Sequence, residues 1–397
     1  MIDTRPVWAE ISRRKLIENF RLLERLAAPD AALLAVVKAN AYGHGAAVCG
    51  AALAAEGARW FGVTCVEEGI ALRAALQQWP EARILIMSGI WRGEAGAAIE
   101  HRLTPAVWES FHLVWLEEEA RRRDVQNVPV FVEVDTGMSR QGVRTESLPA
   151  LLDRFAAAPR LQMEGVMTHF HSPEELENPA TEKQAAVFQA AVETIAARGI
   201  KPAILSAGNS ANALVENVTA TVANLARAHG ARFLVRPGIS LYGYPPHFSG
   251  ANPPPGADAL KPVLSWKAQV ISLRAIERGE TAGYNATFRA EQPTRLALLP
   301  VGYADGLNRL LSGTFSEKRG HVLIRGRRAP IAGRVSMDQI IVDVSAIPDA
   351  AVGDEAMLIG QQGSEQITAA DIARLIGTIP YEVLCAIGAR VPRLLID

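Results

Sequence analysis

Cysteine is scarce in this chain. Three residues out of 397 (Cys49, Cys65, Cys385) are scattered without a CxxC pair, so neither a disulfide framework nor a zinc site is expected. Charge of one sign is missing too. With 41 Lys and Arg against 42 Asp and Glu, the net charge of −1 gives no electrostatic case for nucleic acid or an anionic membrane surface. No apolar run approaches the roughly 20 residues of a membrane span. Met1 to Glu10 is polar and mixed, without the apolar core of a secretory signal. These absences lead to the expectation of a cytoplasmic protein with no metal, no nucleic-acid partner and no membrane partner. At 49% hydrophobic and 21% charged residues the composition is that of an ordinary globular protein, long enough for two to three domains.

One stretch stands out. Leu33-Leu34-Ala35-Val36-Val37 leads straight into Lys38, followed by Ala39-Asn40-Ala41-Tyr42-Gly43-His44-Gly45. An apolar run of this length bounded by turn residues reads as a strand buried on both faces. A lysine at its end is costly to bury unless neutralised or paired. Once desolvated, its lowered pKa makes it a nucleophilic amine able to form a Schiff base. Local physics by itself leaves the commoner alternative open, a lysine snorkelling to water from a strand end.

Around this stretch the chain alternates. Strand-like runs at Leu33–Val37, Trp60–Val66, Arg83–Ser88, Thr104–Val107, Val128–Val134, Leu161–Phe170, Ala203–Ser206 and Arg232–Val235 are separated by alanine-rich helical stretches such as Glu67–Gln78, Glu117–Arg123 and Glu182–Arg198. Before them stand a short strand at Trp8 to Ile11 and an amphipathic helix from Ser12 to Leu26. Eight strand–helix units over about 210 residues match a (β/α)8 barrel, an α/β fold with its site at the C-terminal strand ends. Gly243 to Pro262, with six prolines including Pro253-Pro254-Pro255, reads as a linker. Beyond it, short alternating runs at Leu264–Ile276, Arg295–Pro300, Gly320–Ile324, Ala329–Ile331, Gln339–Val344 and Glu355–Ile359, with one helix at Ala369–Ile376, describe a mostly-β domain, a partly open barrel. The expected division is a barrel over 9–245, a linker over 246–262, and a C-terminal domain over 263–397 that also takes in 1–8.

The segment Val37-Lys38-Ala39-Asn40-Ala41-Tyr42-Gly43-His44-Gly45 resembles the lysine segment of the alanine racemases, which depend on pyridoxal 5′-phosphate (PLP). Further motifs extend the resemblance from about Trp8 to the C-terminus. Asp135-Thr136-Gly137-Met138-Ser139-Arg140-Gln141-Gly142-Val143 is similar to the segment whose arginine grips the substrate carboxylate, a task suited to a guanidinium fork. Many family members carry a lysine, often carbamylated, seven residues before that arginine. Here Glu133 stands there, so the expectation is that Glu133 supplies the orienting carboxylate to Arg140 without carbon dioxide chemistry. Thr168-His169-Phe170-His171 resembles the segment whose histidine, here His169, joins a relay beside the cofactor; on a strand His171 would point the other way. Ser206-Ala207-Gly208-Asn209-Ser210-Ala211 and Arg236-Pro237-Gly238-Ile239 match the phosphate loops. The resemblance gives Ser210, Gly238 and Ile239 to the PLP phosphate, with hydroxyls from Tyr42 and Tyr381. Loops after strands 7 and 8 are also the usual phosphate site of a barrel.

In the racemases the arginine at 236 faces the pyridine nitrogen, where many PLP enzymes place an aspartate. Such an arginine disfavours a second positive charge there, which keeps electrons near Cα and suits racemisation. Two bases on opposite faces of Cα are required. The resemblance makes Lys38 the base for the D-enantiomer and Tyr284, in Thr281-Ala282-Gly283-Tyr284-Asn285-Ala286, the base for the L-enantiomer. Tyr284 would be assisted through His169 and Arg236 and would reach the partner's site in a homodimer. Pro300-Val301-Gly302-Tyr303-Ala304-Asp305-Gly306 and Gly333-Arg334-Val335-Ser336-Met337-Asp338-Gln339 are similar to substrate loops. There Met337 would bind the substrate carboxylate through its N–H, while Tyr303 and Tyr381 narrow the access. Ser336 replaces a cysteine common in relatives. The implied activity is PLP-dependent interconversion of L- and D-alanine, supplying D-alanine for peptidoglycan. Alternatives are a broader-range racemase on the same scaffold, a non-catalytic PLP-binding homeostasis protein, which would lack residues 262–397, and a barrel decarboxylase, which would carry an acid where Arg236 stands.

Overall fold

The computed structural model describes residues 5–27, 31–249, 254, 256–313 and 320–397. They form two units. One runs over Leu16–Ala41 and Ala46–Lys261, the other over the residues up to Lys15, Tyr42–Gly45 and Pro262–Asp397.

The barrel of the first unit has eight parallel strands, with a two-residue strand, Val143–Arg144, added beside the fifth: β1 Ala31–Val36, β2 Trp60–Val63, β3 Arg83–Ile86, β4 Thr104–Val107, β5 Val128–Asp135, β6 Leu161–Met167, β7 Ile204–Ser206 and β8 Arg232–Val235. They are ordered β4-β3-β2-β1-β8-β7-β6-β5, and β4 also pairs with β5. The sheet therefore closes into a barrel, which removes its edges. Leu33 to Val37 are all buried, as a strand covered on both faces requires. Interior volume is balanced by pairing large with small: a Cβ on Gly165 would lie 2.5 Å from the Phe131 ring, which itself packs edge-on against Trp60 at 5.6 Å.

Seven helices follow strands: Ala46–Ala55, Val66–Ala75, Ala95–Glu100, Ser110–Arg122, Leu148–Ala156, Ala180–Ala197 and Glu216–Ala228. After β8 the described residues of this unit hold two 3₁₀ turns, Ile239–Tyr242 and Ala257–Ala259, and the eighth helix is Arg13–Leu26, ahead of β1. The count of eight strand–helix units is corrected to that extent. Several ends also move. The run read as Trp60–Val66 stops at Val63 because Val66 opens a helix with Glu67 and Glu68 in its first turn, where acids favour the helix dipole. The run Leu161–Phe170 ends at Met167, so strand alternation says nothing about His171. Of the proline-rich stretch, residues 250–253 and 255 lie outside the described residues. Its last part is anchored by buried Asn19, whose Nδ2 donates to the Leu241 and Lys261 carbonyls at 3.0 and 2.9 Å while its Oδ1 accepts from the Lys261 N–H.

The second unit is mostly β. Val7–Ser12 pairs antiparallel with Leu264–Gln269 and parallel with Arg393–Ile396, and the seven-stranded sheet continues through Glu355–Gln362, His321–Ile324 and Arg327–Pro330. Ser272–Ile276, Thr294–Leu299 and Ile340–Asp343 form a separate sheet, and Thr281–Ala282 with Phe288–Arg289 a short hairpin. The single run read as Leu264–Ile276 is two strands in different sheets. Val270 N–H bonds to Asp354 and Ile271 N–H to Leu298, so the chain changes partner sheet between adjacent residues. Helix Ala369–Ile376 is where the sequence placed it, and Pro380–Cys385 adds a helix that carries Tyr381. Among the described residues no helix is long and apolar enough to cross a membrane.

Candidate active site

Lys38 follows β1 and opens one turn of backbone in an unusual state. Ala39, Asn40, Ala41 and Tyr42 all have φ between 50° and 57°, a left-handed helical turn built without glycine. Each such residue costs about 1–2 kcal/mol, and strain of this kind gathers at functional sites. The turn is held by side chains. Glu68 accepts the Ala39 N–H at 2.7 Å through one oxygen and the Thr64 N–H at 2.8 Å through the other, and Asn40 Oδ1 accepts from Ala46 N–H at 2.9 Å. Gly43 then passes so close to the Leu384 carbonyl that a Cβ would lie 2.1 Å from its oxygen.

Opposite strand ends build a polar cluster in the barrel. Arg236, 4% exposed, donates to Ser206 Oγ at 2.7 Å, to the Thr168 carbonyl at 2.6 Å and to His169 Nδ1 at 3.3 Å. Since a guanidinium only donates, His169 Nδ1 is the acceptor and the neutral ring carries its proton on Nε2. Burial drives the His169 pKa down to about 3, and the positive charges of Arg236, Arg140 and Lys38 press the same way. Burial also lowers Arg236, to about 10 against the pull of Glu133, so it stays protonated at neutral pH. Gln184 ties the surrounding loops: its Nε2 donates to Thr136 Oγ1 and the His169 carbonyl, and its Oε1 accepts from His171 N–H. Past β7, Ser210 Oγ accepts N–H bonds from Gly238 at 2.9 Å and Ser240 at 3.3 Å; Ile239 between them is buried.

Glu133, 2% exposed on β5, is pushed up to about 7, chiefly by burial. Its hydrogen bond comes from Gln141 Nε2 at 2.6 Å rather than from Arg140, which acts on it through charge. Among the described residues, then, Arg140 and Glu133 are related by charge and not by a hydrogen bond. Arg140 is exposed, on a loop folded by Asp135, whose Oδ1 accepts the Gly137 and Ser139 N–H groups at 3.0 Å each.

In the second unit Tyr42 is buried with its ring 6.0 Å from that of Tyr381, and burial holds its hydroxyl protonated well above the ordinary phenol range. Tyr284, Tyr303 and Met337 are 69%, 44% and 52% exposed. The backbone of the last two is joined: Tyr303 N–H bonds to the Ser336 carbonyl and Ala304 N–H to that of Met337, both at 3.0 Å. Buried Asp305 fixes this pair of loops, accepting from Gly302 N–H and from the Arg5 guanidinium, with Arg390 at 3.5 Å.

Comparison with known proteins follows this division. The alanine racemase N-terminal domain family matches residues 11–246 and its C-terminal domain family residues 263–395. The chain belongs to the alanine racemase family. Alanine racemase from Syntrophobacter fumaroxidans is 39% identical over 381 residues, 96% of this chain and 95% of the relative. The crystal structure of alanine racemase from Bacillus anthracis with bound L-Ala-P superposes with a TM-score of 0.88 at 29% identity, covering 100% of this chain and 96% of that one. That of Bartonella henselae with covalently bound pyridoxal phosphate gives 0.81 at 29% identity, covering 99% and 100%. Membership in the alanine racemase family makes the chain an isomerase that racemises an amino acid. Five residues that shape the site escaped the sequence reading: Glu68, Gln141, Thr168, Gln184 and Ser206. Gln141, Thr168 and Ser206 lie inside motifs that carry the resemblance, and for the last two a polar residue at the end of an apolar run is a usable signal. Glu68, Gln141 and Gln184 act across tertiary contacts and carried none.

Proposed function

We propose that this chain is a PLP-dependent alanine racemase that interconverts L- and D-alanine by two bases, in the cytoplasm, and supplies D-alanine for peptidoglycan. One observation carries the reading: neutral, half-buried His169 beside Arg236, Arg140 and Lys38, which come from the ends of different barrel strands. The donor set fits PLP. A protonated buried guanidinium, a buried serine hydroxyl at the Gly238 and Ser240 N–H groups, and a tyrosine held protonated are what a pyridine nitrogen and a dianionic phosphate call for. Ser210, Gly238, Ile239, Tyr42 and Tyr381 would hold the phosphate, and Lys38 would anchor the cofactor covalently. When bound, PLP supplies an electron-withdrawing ring that acidifies the alanine Cα–H bond.

The chain's own residues do the rest. Arg140 and the Met337 N–H bind the substrate carboxylate, with Tyr303 and Tyr381 narrowing the access to favour a small side chain. Lys38 moves the proton on one face of Cα, for D-alanine, and Tyr284 on the other, for L-alanine. Arg236, fixed by Ser206 and Thr168, keeps a positive charge where the ring nitrogen would lie and so favours return of the proton to Cα. His169, with its proton on Nε2, can pass a hydrogen-bond signal between Arg236 and the tyrosine. Tyr284 and Met337 would serve the partner's site in a homodimer, which their exposure supports. In domain terms, 9–245 is the PLP-binding barrel, 246–262 a linker, and 263–397 with 1–8 the domain that completes the partner's site.

The test is incubation with L-alanine in deuterated water. D-alanine bearing Cα deuterium, without pyruvate or amine, is the expected result. Absence of both exchange and inversion would overturn the reading.

A further inference from the structure

At the mouth of the barrel a carboxylate is buried with little to hold it. Among the described residues, the hydrogen bond that Glu133 receives is the one from Gln141 Nε2, at 2.6 Å to Oε2. The other amide hydrogen of Gln141 goes to the Met87 carbonyl just past β3, at 2.8 Å. An amide nitrogen has two hydrogens, so both are spent. The side chain is a brace between the exit of β3 and a carboxylate on β5. Its neighbours leave it little freedom. Gly142 has φ +106°, and a Cβ there would lie 2.6 Å from the Asp135 nitrogen, so the loop folds back on the strand it left. Asp135 closes the same loop from the other end.

Arg140 sits between these anchors. Its guanidinium makes no hydrogen bond and no ion pair among the described residues, which leaves it available to a ligand. The charges that face Glu133 are those of Arg236 and Arg140, which favour its carboxylate, and Asp135, which opposes it. If the Glu133 carboxylate swung away from the loop, Arg140 would lose the buried anion that steers it.

We propose that Gln141 is a positioning residue for substrate binding: by bracing Glu133 against the Met87 carbonyl, its amide fixes the anion that aims Arg140 at the substrate carboxylate. The inference rests on the racemase reading and extends it to a residue with no charge and no direct substrate contact.

A double-mutant cycle on the holoenzyme tests it. Wild type, Gln141→Leu, Glu133→Gln and the double variant are compared in KM and kcat for alanine. Dissociation of propionate, a carboxylate without an amine, is measured on the same proteins by calorimetry. Gln141→Leu should raise the alanine KM and weaken propionate about tenfold each, the size of one hydrogen bond to a charged group, while kcat changes much less. In the Glu133→Gln background the same substitution should add nothing to either. Effects that multiply in the double variant, or a fall in kcat with KM unmoved, would overturn the proposal. Should Gln141→Leu not fold, Gln141→Asn, whose shorter amide cannot span both acceptors, takes its place in the cycle. A wild-type protein that fails to racemise alanine would remove the racemase reading, and the propionate series would still decide the role of Gln141.

Discussion

The barrel mouth and the loops of the C-terminal unit prepare their residues in opposite ways. In the barrel the side chains themselves are fixed. Arg236, Ser206, Ser210 and Glu133 are buried, and each meets a hydrogen-bond partner from another strand end or loop. In the C-terminal unit the backbone is fixed and the side chains are not. Asp305 and the Tyr303–Ser336 and Ala304–Met337 bonds lock the loops, yet Tyr284, Tyr303 and Met337 face outward. A buried polar network is preorganised at a cost in desolvation that only its own partners offset. An exposed side chain on a rigid backbone is preorganised for a surface still to come. The first region draws its hydrogen bonds from within the barrel, and the second gains its meaning from the homodimer proposed above.

The largest effect that would break this contrast concerns Tyr284. Tyr284→Phe removes one hydroxyl from an exposed ring, so the folding stability should stay within about 0.5 kcal/mol of the wild type. Racemisation should nevertheless fall by about 10²–10⁴-fold, the usual contribution of a general acid–base group. Cα hydrogen exchange of D-alanine, which needs Lys38 alone, should fall far less. A parallel loss of exchange and racemisation, or a lowered melting temperature, would mean that Tyr284 is a structural residue like those of the barrel.

How far this contrast could be read from the sequence depends on the range of the interactions. Barrel strands such as Thr104–Val107 and Arg232–Val235 were legible to the residue, because continuous burial forces an apolar run between turn signals. The site motifs were legible because Lys38, Arg140, His169, Ser210 and Arg236 each sit just beyond a strand. The Leu264–Ile276 run was misread because alternation persists across Val270 and Ile271 while the partner sheet changes. Strand alternation puts Glu133 on the barrel, but nothing in the sequence indicates that its hydrogen-bond partner is Gln141. Arg140 and Gln141 adjoin in the chain, and only the folded loop decides which of them reaches the carboxylate. The left-handed turn at Ala39–Tyr42 carries only a weak signal in Asn40, since its other three residues are alanine or tyrosine and none is glycine.

A smaller effect sharpens the cost of burial in the barrel. The carboxyl of Glu133 rises from its ordinary 4.5 to about 7 in the fold. For an acid with a raised pKa, the folded state holds the proton more tightly than the unfolded chain. Stability from this group is therefore full below about pH 4.5 and is lost as pH rises through 7. The loss amounts to about 3 kcal/mol. Glu133→Gln should accordingly remove the slope, and urea unfolding at pH 5 and pH 8 should find the variant gaining on the wild type at the higher pH. Parallel stabilities at both values would mean that the carboxylate is better compensated than its single hydrogen bond implies. The same substitution should raise the alanine KM, so stability and substrate binding would move in opposite directions at this residue.

The smallest effect lies in the strained turn after Lys38. Glu68 accepts two backbone N–H bonds there, one from the turn and one from the end of β2. In Glu68→Gln one of those oxygens becomes an amide nitrogen, which donates and cannot accept, so one charge-assisted bond is lost, for about 1–2 kcal/mol. Ala39→Gly removes the Cβ that makes a left-handed φ unfavourable, at an entropic cost of about 0.5–1 kcal/mol, and should be close to neutral by itself. If Glu68 serves to hold strained backbone, the glycine should recover part of the stability lost in Glu68→Gln, because less strain then needs holding. If the two substitutions simply add, Glu68 stabilises the β2 end and the turn keeps its shape by other means. Guanidinium unfolding of the four proteins decides between these, and the decision bears on function because Lys38 starts the turn.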